Sequence, residues 1–143
     1  MKKSQIATSF FSLFRGFKQS MQQELKTMDV DITILHFITL KEIGAVQPCT
    51  AQLLTEVMGL DKAQISRILK ELINKALIRK EANPEDKRSQ LLFVTTKGRR
   101  YLEWFNQAEE RLATIMIKQI KSAEVKQWVT VTQQMTNNLS ELN

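Results

Sequence analysis

The sequence predicts a mainly α-helical fold with one small β-hairpin. Glycine and proline are scarce, with 4 and 2 among 143 residues, and this shortage of turn-forming residues favours long helices. Apolar residues recur at steps of three and four over most of the chain, which is the period of one helix face. Two short runs, 78–81 and 91–95, instead flank a polar segment that contains Pro84, and this arrangement predicts two strands joined by a hairpin.

The first predicted helix covers residues 5–28 and carries a wide apolar stripe. Phe11 broadens the stripe, whose members at helical spacing are Ile6, Phe10, Leu13, Phe14, Phe17, Met21, Leu25 and Met28. So much apolar surface requires packing against another helix, from this chain or from a second copy. A helix lying on a membrane surface is the alternative, but lysine and arginine are too few along the polar face for it.

Two shorter helices are predicted next. Residues 32–43 are largely apolar and predict a buried helix, which Gly44 ends as a C-terminal cap. Residues 51–58 predict a further helix, because Thr50 is a suitable N-cap and Gly59 is a suitable stop.

A fourth helix is predicted after Asp61, which is a good N-cap. Gln64, three residues later, completes a capping box. The buried face of this helix comprises Leu60, Ile65, Ile68, Leu69, Leu72 and Ile73. Helix 51–58, a tight turn and this helix form a helix-turn-helix, and the hairpin that follows directly makes it a winged version. The second helix of such a module projects into a major groove about 12 Å wide.

Two long helices complete the predicted chain. One spans 97–121 with Thr96 as its cap, and the last is capped by Ser122 and has a heptad-like stripe of Val125, Trp128, Met135, Leu139 and Leu142. The small winged core cannot cover this stripe and that of the first helix. We therefore predict a homodimer that buries Phe10, Phe14, Phe17, Trp128, Met135 and Leu139. The predicted division is an N-terminal dimerisation helix (1–30), a winged helix-turn-helix module (31–97) and C-terminal dimerisation helices (98–143).

The positive charge is concentrated in the predicted winged module. The chain has a formal net charge of +6 and a pI of about 9.6. Residues 61–100 contain eleven Lys or Arg and five Asp or Glu, so this segment alone carries a net charge of +6. A solvated charged face is the simpler explanation of the charges alone. Combined with the order of the elements, the clustering favours a nucleic-acid partner, because counterion release requires grouped cations.

The run from residue 61 to residue 100 resembles the MarR family of winged helix-turn-helix regulators. The family's turn after the recognition helix is matched by Leu72–Leu77, followed by a strand that carries Arg79. Its Asp-x-Arg wing is matched by Asp86-Lys87-Arg88, and its Leu-Thr-x-x-Gly helix start by Val94–Gly98. The specific match covers residues 32–100, whereas the flanking helices agree only in length and pattern.

Two departures from the family pattern lie outside the predicted DNA-facing positions. Ala76 stands where the family has glycine, which forces a non-glycine residue into a conformation that glycine takes freely, or shifts the turn. Thr95-Thr96 replaces Leu-Thr, which is a milder change.

The resemblance implies roles for the wing residues. Arg88 would enter the minor groove, whose negative potential is deepest where the groove is narrow. Asp86 would hold the Arg88 guanidinium through a charge-assisted bond. Lys87 and Arg79 would serve phosphates or the wing scaffold. A surface ion pair that maintains the fold without touching DNA is the alternative.

On the recognition helix, the residues predicted to meet DNA are Lys62, Gln64, Ser66, Arg67 and Lys70. Gln64 can pair with adenine through two hydrogen bonds, unless the capping box occupies it, and Arg67 can reach guanine or a phosphate. Lys62 and Ser66 suit contacts with the DNA backbone. At the start of the preceding helix, free N–H groups beside Thr50 and Gln52 can hold a phosphate.

Three further inferences concern sensing. The resemblance implies that a small aromatic or phenolic effector binds between the DNA-binding and dimerisation parts and releases the DNA. Cys49 precedes a helix, whose N-terminus can lower a thiol pKa, so a redox role is open, although a lone cysteine is usually without function. His36 lies in an apolar helix and is expected to be a hydrogen-bonded core or pocket-wall residue rather than a metal ligand.

Other classes of protein fit the sequence less well. With one His, one Cys, no nucleotide-binding glycine loop and no spaced acidic pair, neither a catalytic set, a cofactor site nor a Cys/His zinc site can be assembled. Polar residues interrupt the segment after Met1-Lys2-Lys3, and no run approaches the roughly 20 apolar residues that span a bilayer. The sequence thus predicts a cytoplasmic protein without a membrane segment.

Together these features predict a homodimeric, sequence-specific DNA-binding transcriptional regulator, most simply a repressor. It would bind double-stranded DNA at an inverted repeat whose half-site centres lie roughly 10 bp apart. A winged-helix module that docks RNA or protein instead of DNA is the alternative, since the same fold hosts both.

Overall fold

The computed structural model describes residues 2–143, and Met1, the first residue of the predicted segment 1–30, lies outside the described residues. The elements are α1 (Ser4–Thr27), α2 (Ile34–Ala45), α3 (Ala51–Met58), α4 (Lys62–Asn74), β1 (Ile78–Ala82), β2 (Gln90–Val94), α5 (Thr96–Met116) and α6 (Ser122–Ser140). Strands β1 and β2 pair antiparallel, from Ile78 opposite Val94 to Ala82 opposite Gln90. The predicted mainly α-helical fold class with a small β-wing is confirmed.

The chain divides into two compact units, one ending at Glu109 and the other covering Glu110–Asn143. In the first unit, the ring of Phe37 on α2 stacks on that of Phe105 on α5, with 4.6 Å between the ring centroids. Met21, Leu40 and Leu72 are fully buried around this unit's core. Over residues 2–143, no helix is both long enough and apolar enough to cross a bilayer.

Helix α2 begins after an N-cap residue, Thr33, and ends later in the sequence than predicted. Thr33 precedes it in an extended conformation, and its hydroxyl accepts the N–H of His36 at 3.3 Å. The predicted C-cap at Gly44 is wrong, because the helix continues to Ala45 and ends at the extended residue Val46. Gly44 does not adopt the left-handed conformation that makes glycine useful as a cap.

The predicted caps of the helix-turn-helix are confirmed. The hydroxyl of Thr50 accepts the N–H of Leu53 at 3.2 Å, and Gly59 ends α3 in the left-handed conformation with φ of 64°. The Asp61 carboxylate accepts the N–H of Gln64 at 2.8 Å, and the Asp61 N–H donates to the Gln64 amide oxygen at 3.2 Å. The predicted capping box therefore starts α4.

The end of α4 is closed by a left-handed residue that is not glycine. Ala76 has φ of 58°, as the departure from the family pattern anticipated. Its N–H donates to the Ile73 carbonyl at 2.9 Å, and the Leu77 N–H donates to the Leu72 carbonyl at 2.9 Å, which is the Schellman pattern. The left-handed conformation costs a non-glycine residue about 1 kcal/mol.

Helix α5 starts in contact with this turn. The Thr95 hydroxyl accepts the Gly98 N–H at 3.0 Å and donates to the Ala76 carbonyl at 2.6 Å. Thr95 is therefore the N-cap, and the predicted cap at Thr96 is wrong. Gly98 is buried, and a Cβ there would lie 2.2 Å from the Leu77 carbonyl oxygen. Only glycine permits this approach of α5 to β1.

The C-terminal elements differ from the prediction at their junction. Helix α5 ends at Met116 rather than at residue 121, and Gln119 has φ of 65° in the turn that follows. The predicted cap Ser122 is instead the first helical residue of α6. The N–H of Lys121, just before the helix, donates to the Glu124 carboxylate at 3.0 Å.

We predict that Gly98→Ala lowers the free energy of unfolding by about 3 kcal/mol, which is the upper end of ordinary overpacking. The added methyl would meet the backbone of Leu77 and the Val94 side chain, at 2.2 and 2.8 Å, and backbone cannot rotate away. Gly44→Ala is the matched control, since its Cβ meets nothing closer than 3.6 Å. It should raise stability by up to about 1 kcal/mol through helix propensity. Urea unfolding at one protein concentration measures both, and equal effects would contradict the prediction.

Candidate nucleic-acid interface

One face of α4 presents cations that have no partner in the protein. Lys62, Arg67 and Lys70 are exposed, and none of them makes a hydrogen bond or ion pair within residues 2–143. Ser66 is exposed on the same helix. The opposite face is buried through Ile65, Ile68, Leu69 and Leu72. The helix therefore has one face in the core and one face with unneutralised positive charge.

Gln64 is half-buried at the edge of this face. Its amide oxygen accepts the Asp61 N–H, which was the alternative role foreseen for it. Bidentate pairing with adenine uses both the oxygen and the nitrogen of the amide. Gln64 can make that pair only if the capping box opens, whereas its amide nitrogen is free to donate as it stands.

The start of α3 is partly satisfied internally. The Thr50 hydroxyl takes the Leu53 N–H, so one donor that a phosphate would use is already bonded. Gln52 is exposed in the first turn of the helix. The side chain of Gln52 and the remaining N–H groups are what this end offers to a phosphate.

The wing tip is a polar loop held by its own side chains. The Asn83 amide donates to the Ser89 hydroxyl at 2.9 Å, and the Asp86 carboxylate accepts the backbone N–H of Arg88 at 2.9 Å. Asp86 thus bonds to the Arg88 backbone, and the predicted bond between Asp86 and the Arg88 guanidinium does not form. The Arg88 guanidinium is exposed and makes no bond to any described residue, and Lys87 beside it is exposed too.

Arg79 belongs to the body of the wing rather than to its tip. It pairs with Glu81 on the same strand, and its guanidinium carbon lies 4.6 Å from the ring centroid of Phe93 on the paired strand. Of the two roles foreseen for Arg79, the geometry fits the scaffold role.

A cleft of about 510 Å³ lies beside this face of the wing, within the first unit. Its lining includes Lys41, Gly44, Arg79, Phe93, Arg99 and Leu102. The cleft combines three cationic side chains with an aromatic and an aliphatic surface, which suits a small organic anion. Lys41 also pairs with Glu109, with 3.2 Å between the charged atoms.

Cys49 is a buried structural residue. Its side chain is inaccessible, and its carbonyl accepts the Leu92 N–H at 2.9 Å. Burial, with a smaller contribution from the negative charge of Glu42, raises the pKa of the thiol to about 11. The expected lowering by the helix N-terminus is therefore wrong in direction. The protonated thiol is a poor nucleophile at neutral pH, so the geometry does not favour a redox role.

His36 is a hydrogen-bonded core residue, as expected from its apolar helix. The ring nitrogen Nδ1 accepts the Thr33 N–H at 3.1 Å, and Nε2 bonds to the carboxylate of Glu71 on α4. An ion pair joins Lys75 to Asp31, with 3.0 Å between the charged atoms. Sequence reasoning missed both links. Among residues 2–143 no cluster of His, Cys, Asp and Glu could hold a metal ion.

Comparison with known proteins identifies relatives of this module. Residues 30–89 match the model of the MarR family. An uncharacterized HTH-type transcriptional regulator of Bacillus subtilis, YdgJ, is 28% identical over 89 residues, which are 62% of this chain and 54% of that protein. The matched segment thus spans about half the length of this curated relative.

Solved structures share the fold along nearly the whole chain. A MarR transcriptional regulator from Methanosarcina mazei superposes with a TM-score of 0.88 at 16% identity, covering 99% of this chain and 100% of that one. Staphylococcus aureus MarR in complex with salicylate and kanamycin gives 0.86 at 23%, covering 96% and 92%. A cysteine variant of Escherichia coli MarR in complex with operator DNA gives 0.80 at 23%, covering 91% and 92%.

Proposed function

We propose that this chain, whose residues 30–89 match the model of the MarR family, is a homodimeric, sequence-specific DNA-binding repressor of transcription. The family consists of regulators and not of enzymes. In the proposed complex α4 occupies the major groove, and the Arg88 side chain enters the minor groove beside it. A dimer bound within a promoter represses by occupying DNA that the transcription machinery needs.

The observation that carries this proposal is the unpaired positive charge of α4 and the wing tip. Lys62, Arg67, Lys70 and Arg88 are exposed, and no acid of the described chain neutralises them. Unpaired cations on a helix of about 10–12 Å diameter match a groove of similar width that phosphates line on both sides. Operator DNA bound to the Escherichia coli relative supports this mode of binding for the shared fold.

Uncovered apolar side chains support the homodimer. On α1, Phe10 and Phe14 are 60% and 53% exposed, and Phe17 is half-buried. On α6, Trp128, Met135 and Leu139 are 52%, 41% and 62% exposed. Contiguous apolar faces of this kind are rare on monomers. A second copy would bury them and would place two winged modules on one inverted repeat.

We also propose a small aromatic anion as the effector, bound in the cleft that Arg79, Phe93 and Arg99 line. The cleft lies at the base of the wing, so a ligand there would alter the position of the wing tip. The salicylate complex of the Staphylococcus aureus relative supports this class of ligand.

We predict that Arg88→Ala weakens binding to duplex DNA from the protein's own promoter region roughly tenfold, which corresponds to about 1.4 kcal/mol. The reason is loss of a cation from the narrow groove. Lys126→Ala, which removes one exposed charge from α6, is the control and should leave affinity nearly unchanged. Fluorescence anisotropy between low and moderate salt measures both. If the affinity of the wild-type protein for DNA did not fall as the salt concentration rises, the electrostatic proposal itself would be contradicted.

A second prediction concerns assembly. Phe14→Asp should convert the dimer to a monomer, because it places a charge in the apolar face that a second copy must cover. Ser12→Asp adds the same charge on the opposite side of α1 and should leave the dimer intact. Light scattering over a range of protein concentrations gives the mass, and circular dichroism checks the helix content. A Phe14→Asp protein that stays folded and dimeric would refute the interface.

A third prediction tests the cleft. Gly44→Phe should fill it and weaken salicylate binding at least tenfold, whereas Gly44→Ala leaves it open and should bind like wild type. Both substitutions suit the last turn of a helix better than glycine does. Calorimetric titration with salicylate measures the affinity, and similar affinity in all three proteins would place the effector elsewhere.

A further inference from the structure

Two charged residues of α4 and the C-cap residue that follows the helix are spaced so that they could neutralise one another. Arg67, Glu71 and Lys75 follow at intervals of four, and side chains at this spacing are neighbours on a helix surface that readily form ion pairs. Neither intrahelical pair forms. Glu71 bonds instead to His36, and Lys75 bonds instead to Asp31. Arg67 is left without a partner among the described residues.

The imidazole of His36 is fixed at both nitrogen atoms. Nδ1 lies 3.1 Å from the backbone N–H of Thr33, which can only donate, and 2.8 Å from the Thr33 hydroxyl, which can donate as well, so these contacts fit an accepting Nδ1. In the neutral ring the hydrogen is then on Nε2, and this N–H donates a hydrogen bond to the Glu71 carboxylate. The ring is buried, with 8% of His36 exposed. The capping box at the start of α2 therefore orients His36 toward α4.

We propose that His36 is a positioning residue for DNA binding, because it holds the Glu71 carboxylate away from Arg67 and leaves the Arg67 guanidinium free for the operator. This inference rests on the proposed function, since it assigns Arg67 to the DNA. The Glu71 side chain is 44% exposed, so a carboxylate released from His36 can turn toward Arg67, one helical turn away. It would then compete with DNA for the guanidinium and repel nearby phosphates.

The test is His36→Asn, which separates the two roles of the histidine. Asparagine can place an amide oxygen near the position of Nδ1, where it still accepts the Thr33 N–H, whereas its shorter side chain places no donor at the position of Nε2 that bonds to Glu71. Operator affinity should fall about threefold, with dimer mass and helix content unchanged. In a Glu71→Gln background the same change should have no effect on affinity, because no carboxylate remains. In an Arg67→Ala background the effect should be smaller than in wild type, because only the repulsion between the carboxylate and the phosphates remains.

A second pair of variants leaves His36 intact. Glu71→Asp keeps the charge but shortens the side chain beyond reach of the imidazole, and it should weaken operator binding about threefold. Glu71→Gln keeps the length and an acceptor for Nε2–H, and it should bind like wild type. This pair tests the inference even if His36→Asn does not fold.

The outcomes separate this inference from the function on which it rests. A wild-type protein that binds no duplex from its promoter region would overturn the proposed function. Wild-type binding together with equal affinities of Glu71→Asp and Glu71→Gln would overturn only the role of His36. So would a loss of affinity in His36→Asn that persists in the Glu71→Gln background, because the histidine would then act through the fold alone.

Discussion

The approach of α5 to the backbone of Leu77 is the constraint on which the positions of α4 and the wing depend. Gly98 lies where any side chain would collide with the Leu77 carbonyl, and that carbonyl accepts the Thr95 N–H at 3.0 Å. The end of α4, the first residue of the wing and the start of α5 therefore share one small volume. Lys97 strengthens the junction by donating from Nζ to the Lys75 carbonyl at 2.9 Å. The recognition helix and the wing are consequently oriented by the same contact.

Polar groups of the winged module differ in whether they already have a bonding partner within the protein. Arg79 contacts Glu81 and the Phe93 ring, and Cys49 is buried with its carbonyl accepting the Leu92 N–H. Both looked like functional residues in the sequence. By contrast, Arg67 and Arg88 have no partner in the described chain. A polyanionic partner would neutralise these two cations, as the proposed function requires.

Local signals in the sequence predicted the helix-turn-helix well, and a contact between distant residues accounts for the error at the start of α5. The caps at Thr50, Gly59 and Asp61 depend on bonds within a few residues, which a sequence displays directly. Two adjacent threonines could each have capped α5. The bond from Thr95 to Ala76, 19 residues earlier in the chain, selects the first of them. Such a choice is invisible before the chain folds.

The difference between local signals and distant contacts also explains why the sequence did not predict the partner of Glu71 on α4. The spacing of Arg67 and Glu71 was visible in the sequence and would favour an intrahelical ion pair, which would have argued against a DNA-contacting arginine. His36, 35 residues before Glu71, reverses that conclusion by accommodating the carboxylate. Acids on a DNA-binding helix can pair with its cations, and each cation that is paired in this way is no longer available to DNA. In this chain residues outside the helix determine whether such pairs form.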